Sequence, residues 1–206
     1  MSEPGPSSRP LDAEVCSAGG EAKPGRISSR WIYEGRVVRL SVDRVRFPDG
    51  SSGELEIIRH RGAAAVLPVL GDPAEADPQI VLIRQYRYAA GGYLLEVPAG
   101  LPNGADEDWE ACARRELEEE TGLVAGKLIP LTTIYTTPGF TDERIHLFMA
   151  LDLRPGRAAP DHDEFVEPVT MTLSDALARI RDGEIQDAKT ICTLLYAATF
   201  RLRGSG

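Results

Sequence analysis

One segment crowds acidic side chains where a helix tolerates them poorly. Arg115-Glu116-Leu117-Glu118-Glu119-Glu120-Thr121-Gly122 closes a helix expected over 108–121, with Gly122 where a left-handed cap belongs. At ~100° per residue, with Glu116 at zero, Glu120 lies ~40° to one side and Glu119 ~60° to the other, while Glu118 points away at ~200°. Three carboxylates therefore share one face, and Arg115 flanks Glu119 at i,i+4. The earlier part of that face carries Trp109, Cys112 and Ala113, so the acids continue an apolar stripe and point toward the protein body. Glu116 and Glu120 repel each other at i,i+4, and the macrodipole disfavours negative charge in the last turns; each effect costs a few tenths to about 1 kcal/mol at a surface. A divalent cation reverses the sign of both, and oxygen-only ligands suit Mg²⁺ or Mn²⁺. The helix alone leaves two readings open, a solvated charged face and a metal site.

The elements that must position this helix are legible as a series. Residues 36–45 alternate well enough for a strand, Pro48-Asp49-Gly50 signals a turn, and 54–58 reads as the returning arm of an N-terminal hairpin. Residues 63–70 form an unbroken apolar run of strand length, consistent with a central strand buried on both faces. Strands are also expected at 79–84, 92–97, 128–135, 144–151 and 165–172, with helices at 174–182 and 187–202. No internal repeat is visible. This order of strands and helices predicts an α/β sandwich around a mixed sheet. The domain reading is a disordered Pro, Gly and Ser-rich tail at 1–27, a hairpin region at 28–62 and the main domain at 63–206.

Composition narrows the partners. The 206 residues, 42% hydrophobic and 27% charged, are enough for one ordinary domain with a substantial core. A net charge of -9 argues against a general nucleic-acid binder. An acidic chain can still bind a phosphorylated substrate when metal ions supply positive charge. Cys16, Cys112 and Cys192 form no CxxC pair, so neither a disulfide framework nor a zinc site is indicated, and a cytoplasmic location is expected. No apolar run approaches a membrane span, and no secretory leader pattern is present. His60, His146 and His162 have no ligand-like spacing.

Glu107, seven further residues and then Arg115-Glu116-Leu117-x-Glu119-Glu120-x-Gly122-Leu123 resemble the Nudix box, G-x5-E-x7-R-E-U-x-E-E-x-G-U with U aliphatic. One position departs: the box glycine would fall at Leu101, but the glycine here is Gly100. The likeness extends over roughly 31–200 and is closest to the ADP-ribose pyrophosphatase branch. Leu95-Glu96-Val97-Pro98-Ala99-Gly100, Arg84-Gln85-Tyr86-Arg87 and Pro138-Gly139-Phe140-Thr141-Asp142-Glu143 match that branch in order and spacing.

The resemblance implies a Nudix-type α/β/α sandwich with an N-terminal β-hairpin or sheet. It implies Mg²⁺, with Mn²⁺ as the substitute, held by Glu116, Glu119, Glu120 and the carbonyl of Ala99. It implies hydrolysis of ADP-ribose to AMP and ribose 5-phosphate, and a homodimer completed through the hairpin. Arg115 is expected to orient Glu119, Arg87 to bind the diphosphate, and Glu96 to accept hydrogen bonds from ribose or adenine. Glu56 and Arg59, with Trp31 and Tyr33, lie where the branch holds adenine. Asp142 and Glu143 are expected to shape the turn after Pro138, and Cys112 to pack. With the box acids committed to metal, the base is expected at Glu164, in the loop 160–167, rather than at Glu167. The alternatives are another nucleoside diphosphate sugar, such as GDP-mannose, or a nucleotide-binding regulator that does not cut.

Overall fold

The computed structural model describes residues 23–104, 106–159 and 165–202. Two compact units divide the chain: Met1–His60 with Thr137–Glu143, and Arg61–Thr136 with Arg144–Gly206.

The first unit is a three-stranded antiparallel sheet in the order β1 (Gly25–Glu34), β2 (Arg39–Arg46), β3 (Ser52–Arg59). β2 and β3 are the expected hairpin, turned at Phe47–Ser51, where the Ser51 carbonyl accepts from Phe47 N–H at 2.8 Å. β1 is additional. It begins at Gly25, inside the stretch read as a tail, because pairing of Gly25 with Arg46 and of Arg26 with Val45 satisfies backbone groups that a mostly polar sequence does not advertise. The Pro-Gly-Phe segment joins this unit through β3: Ile58 N–H donates to Phe140 O at 2.8 Å, and Asp142 N–H to Ile58 O at 3.3 Å. The middle of the unit is polar. Ser29 and Ser41 both donate to Asp43, and Arg59 pairs with Asp43 and, at 3.0 Å, with Asp142. Its apolar side chains Ile27, Ile32, Tyr33, Val37, Val38 and Leu55 are exposed.

The second unit is built on a mixed sheet. Its strands are β4 (Ala63–Leu70), β5 (Gln79–Arg87), β6 (Gly92–Glu96), β7 (Ala99–Gly100), β8 (Leu123–Tyr135), β9 (Arg144–Pro155) and β10 (Val166–Thr172). The order is β10-β5-β4-β9-β8, with β6 on β5 and β7 on β4; β4 and β9 are parallel and the other pairs antiparallel. β8 starts at Leu123, earlier than expected, because its ladder with β9 continues to Leu123 opposite Pro155.

β4 explains the layering. Ala64 and Val66 face one way and pack with Cys112, Ala113 and Leu117 of α1 (Trp109–Thr121). Ala65, Leu67 and Val69 face the other way, where α2 (Leu173–Arg181) and α3 (Ala188–Phe200) bring Ala176, Leu194 and Ala197. Both faces are covered, so the strand reads as an apolar run rather than an alternation. The result is an α/β/α sandwich. Among the described residues no helix is long and apolar enough to cross a membrane.

Candidate active site

α1 is punctuated at both ends by its own sequence. The Asp108 carboxylate caps it by accepting from Ala111 N–H at 2.7 Å, and Gly122 closes it at φ 70°, donating to Glu118 O. The apolar stripe docks the helix on β4 and carries the last turns inward. Glu116 and Glu120 are consequently buried, at 7% and 3% exposure. Glu119 stays half-exposed, and Glu118 accepts from Arg157 N–H at 3.3 Å, off the shared face.

Arg115 is the hub of the acidic face. Its guanidinium donates to Glu107 at 2.9 and 3.0 Å, to Glu116 at 2.7 Å, to Glu119 at 2.8 Å and to Leu101 O at 2.8 Å. Hydrogen bonding to Glu107, then to Glu119 and Glu116, holds its pKa above the ordinary guanidinium value against the opposing effect of burial. The expected partner, Glu119, is one of three. These bonds also settle the departure at the box glycine. A Cβ at residue 100 would overlap the Glu116 carboxylate, so a side chain there would displace the group that Arg115 holds, whereas Gly100 leaves it in place. The extra residue lies in the following loop, whose ends Arg115 ties together at Leu101 and Glu107.

Glu120 turns toward β7, where its Oε2 accepts from Ala99 N–H at 3.0 Å. This places the residue of the expected carbonyl ligand directly beside a box acid. Among the described residues no three His, Cys, Asp or Glu side chains form a ready-made metal cluster. Arg115 bridges Glu116 and Glu119 while Glu120 engages Ala99. The donor set nevertheless suits a hard divalent cation: it is all oxygen, with Glu107, Glu116 and Glu119 gathered on the Arg115 guanidinium and Glu120 turned to Ala99 N–H.

Arg87 and Glu96 meet across the β5–β6 ladder. Arg87 Nε and Nη2 donate to the two Glu96 oxygens at 2.8 and 2.9 Å. Lys189 Nζ adds a third bond, to Glu96 Oε2 at 2.5 Å, and pairs with Asp187 at 3.1 Å. Burial works to raise the Glu96 pKa, but the bonds and charges of Arg87 and Lys189 outweigh it and hold the carboxyl below the usual carboxylate range. Both Glu96 oxygens are thus engaged within the protein. Hydrogen bonding to Glu96 likewise raises Arg87, and the charge of Glu120 contributes, so Arg87 stands near the box acids. Its side chain is 41% exposed.

Glu56 and Arg59 belong to the first unit, where Glu56 is exposed and Arg59 is held by Asp43 and Asp142. Asp142 does shape its turn, accepting from His60 N–H at 2.8 Å. Cys112 is fully buried, which pushes its thiol up to about 12 and leaves it a packing group. Glu164 lies outside the described residues. On either side of it, Ala159 N–H donates to Glu119 O at 2.9 Å and Phe165 O accepts from Tyr86 N–H at 3.3 Å. Glu167 pairs opposite Arg84 in the β10–β5 ladder, on the same face as Leu82, which packs with α2 and α3. It therefore points to the face of the sheet away from α1.

Lys189, Asp187 and Thr190 were missed in the sequence. A signal was present: a lysine in the first turn of a helix opposes the macrodipole and needs a carboxylate partner.

Comparison with known proteins agrees with this geometry. The NUDIX domain family matches residues 59–194. The ADP-ribose pyrophosphatase of Bacillus subtilis is 40% identical over 172 residues, covering 82% of this chain and 90% of that protein. The methanol dehydrogenase activator of Bacillus methanolicus is 40% identical with the same coverage. The GDP-mannose pyrophosphatase of Citrobacter koseri is 35% identical over 156 residues, covering 68% and 79%. A crystal structure of an ADP compounds hydrolase superposes at TM-score 0.72 and 23% identity, covering 88% of this chain and 95% of that one, which shows the shared fold. The acidic end of α1 is thus the Nudix box in its folded setting, and the chain belongs to the Nudix hydrolase superfamily.

Proposed function

We propose that the protein hydrolyses the diphosphate bond of ADP-ribose, giving AMP and ribose 5-phosphate. The observation that carries the reading is the pair of buried carboxylates, Glu116 and Glu120, with Arg87 near Glu120. Neighbouring carboxylate oxygens suit a hard divalent cation, and a partly exposed guanidinium suits phosphate oxygens. Similarity to a pyrophosphatase named for ADP-ribose supports that substrate.

Glu116, Glu119 and Glu120, with the Ala99 carbonyl, would hold a divalent ion, Mg²⁺ or Mn²⁺. Bound there, the ion neutralises diphosphate oxygens and lowers the pKa of a water. Arg115 keeps Glu116 and Glu119 oriented. Arg87 receives the diphosphate: Glu96 takes Nε and Nη2, and among the described residues Nη1 makes no hydrogen bond. Glu164 is proposed as the base; the orientation of Glu167 toward the α2–α3 face favours Glu164 over it.

The test is a hydrolysis panel of ADP-ribose, GDP-mannose, other nucleoside diphosphate sugars, NADH and diadenosine polyphosphates, with and without Mg²⁺, products separated by chromatography. ADP-ribose is expected to be cleaved fastest, and only with a divalent ion. Turnover led by GDP-mannose would reassign the substrate, and cleavage of nothing in Mg²⁺ or Mn²⁺ would sink the reading.

We further propose a homodimer. The exposed apolar residues of the first unit, Ile27, Ile32, Tyr33 and Leu55 among them, exceed what a small free sheet leaves to water. Light scattering at micromolar concentration is expected to give twice the chain mass of 22.4 kDa. A fully active monomer would refute it.

A further inference from the structure

The first turn of α3 grips the strand end that carries Glu96. Asp187 caps the helix, accepting from Thr190 N–H at 2.9 Å and from Thr190 Oγ1 at 2.6 Å. Thr190 Oγ1 in turn accepts from Val97 N–H at 2.9 Å. One residue back, Lys189 places its ammonium on Glu96 and Asp187, with only 12% of its side chain exposed. Glu96 is 2% exposed and passes the connection to Arg87 through two parallel hydrogen bonds. The chain Asp187–Lys189–Glu96–Arg87 starts at a helix cap and ends at the group that faces solvent near Glu120.

The charges in this chain alternate, two cationic and two anionic. Without Lys189, Arg87 would answer for Glu96 and Asp187 alone, with Glu120 also close by. Its guanidinium would be drawn inward and its pull on a ligand anion reduced. With Lys189 present, Glu96 is compensated from behind. Arg87 keeps a fixed plane, set by the bidentate fork, and retains attraction for an incoming anion.

We propose that Lys189 is a positioning residue for diphosphate recognition, acting through Glu96 to set the orientation and the available charge of Arg87. The proposal rests on Arg87 receiving the diphosphate of a nucleoside diphosphate sugar. It assigns Glu96 to the support of Arg87, in place of the contact with ribose or adenine expected from the resemblance.

The test uses the full chain with Lys189→Met, Lys189→Gln and Lys189→Arg. Two readouts are taken: steady-state hydrolysis of ADP-ribose in Mg²⁺, and calorimetric binding of α,β-methylene-ADP, a diphosphate that is not cleaved between its phosphorus atoms. Lys189→Met and Lys189→Gln are expected to raise KM and the probe Kd ~10-fold or more, with kcat changed by less than ~3-fold. Lys189→Arg, which keeps the cation, is expected to stay within ~3-fold of wild type. Combined with Arg87→Met, the lysine change should add little, because its route runs through Arg87. A purely structural lysine would lower the melting temperature without this split between KM and kcat. Unchanged KM and Kd overturn the proposal, as do full additivity with Arg87→Met, loss of cooperative melting in both neutral variants, or a wild type that does not bind the probe. A wild type that binds the probe and weakens as expected in the variants, yet cleaves no nucleoside diphosphate sugar, overturns the hydrolytic reading and retains the role of Lys189 toward Arg87.

Discussion

Glu120→Gln is expected to lower kcat on ADP-ribose by about 10³-fold while leaving the fold intact. The magnitude follows from the several kcal/mol by which a bound divalent ion stabilises a transition state in phosphoryl chemistry, at about 1.4 kcal/mol per factor of ten. Glu120 is buried at the end of α1, and its Oε2 already accepts from Ala99 N–H. A glutamine keeps the volume and can keep that bond, but it loses the charge that a cation requires. It also removes the like-charge i,i+4 pair with Glu116, worth a few tenths of a kcal/mol. In EDTA the variant should therefore melt at or slightly above the wild-type temperature. In Mg²⁺ the wild type should gain stability by mass action, and the variant should gain little. Thermal melts with and without Mg²⁺ separate the two roles. A variant that melts far below wild type in EDTA would make Glu120 a structural residue.

The second large effect is expected at Arg115, and it runs the opposite way in the absence of metal. Arg115 is the only cation contacting Glu107, Glu116 and Glu119 among the described ion pairs, and it also holds Leu101 O. Arg115→Met leaves three carboxylates crowded and partly desolvated, and the loop between Leu101 and Glu107 loses its tie to α1 at Leu101 O. Breaking a buried pair by removing one partner costs about 3–5 kcal/mol, and partial exposure of Glu119 reduces this to about 2–4 kcal/mol. For a chain of this size that corresponds to a fall of roughly 5–15 °C in melting temperature in EDTA. The crowded acids should then respond more strongly to Mg²⁺, so part of the loss should return when it is added. Activity should still fall by ~10–100-fold, because Glu116 and Glu119 have lost the group that orients them. A variant melting within about 1 °C of wild type in EDTA would show that Arg115 does not hold the acidic face together.

The contrast between these substitutions reflects what each residue does for the fold. Glu120 adds charge to a place that already has too much; Arg115 makes that place tolerable. An acidic face assembled around one arginine can fold and still accept a cation, which is the compromise expected of a functional site.

Much of this was determined by the sequence itself. The face shared by Glu116, Glu119 and Glu120 follows from helical periodicity, and the stop at Gly122 from the need for a left-handed cap; both are local and need no knowledge of partners. The apolar run at Ala63–Leu70 marked a strand covered on both sides, and the order of elements pointed to an α/β sandwich around a mixed sheet; the α/β/α layering came from the resemblance. β1 was not legible, because its side chains are mostly exposed and its stability comes from a ladder with β2. The placement of the Pro-Gly-Phe segment on β3 joins residues 83 apart, as in the pair of Arg59 with Asp142. The bond from Lys189 to Glu96 spans 93 positions. No periodicity reports such contacts, since they depend on which strand end a helix N-terminus reaches after the sheet has formed. Glu167 shows the same limit: its strand was expected, but the face it takes is decided by register against Arg84, far away in sequence. Residue types and spacing left the acidic face open to a metal reading, and the resemblance supplied the candidate ligands for metal and diphosphate. Only the tertiary structure brought Arg87 and Lys189 onto Glu96 and set Gly100 against the Glu116 carboxylate, because those contacts depend on atoms brought together across the chain.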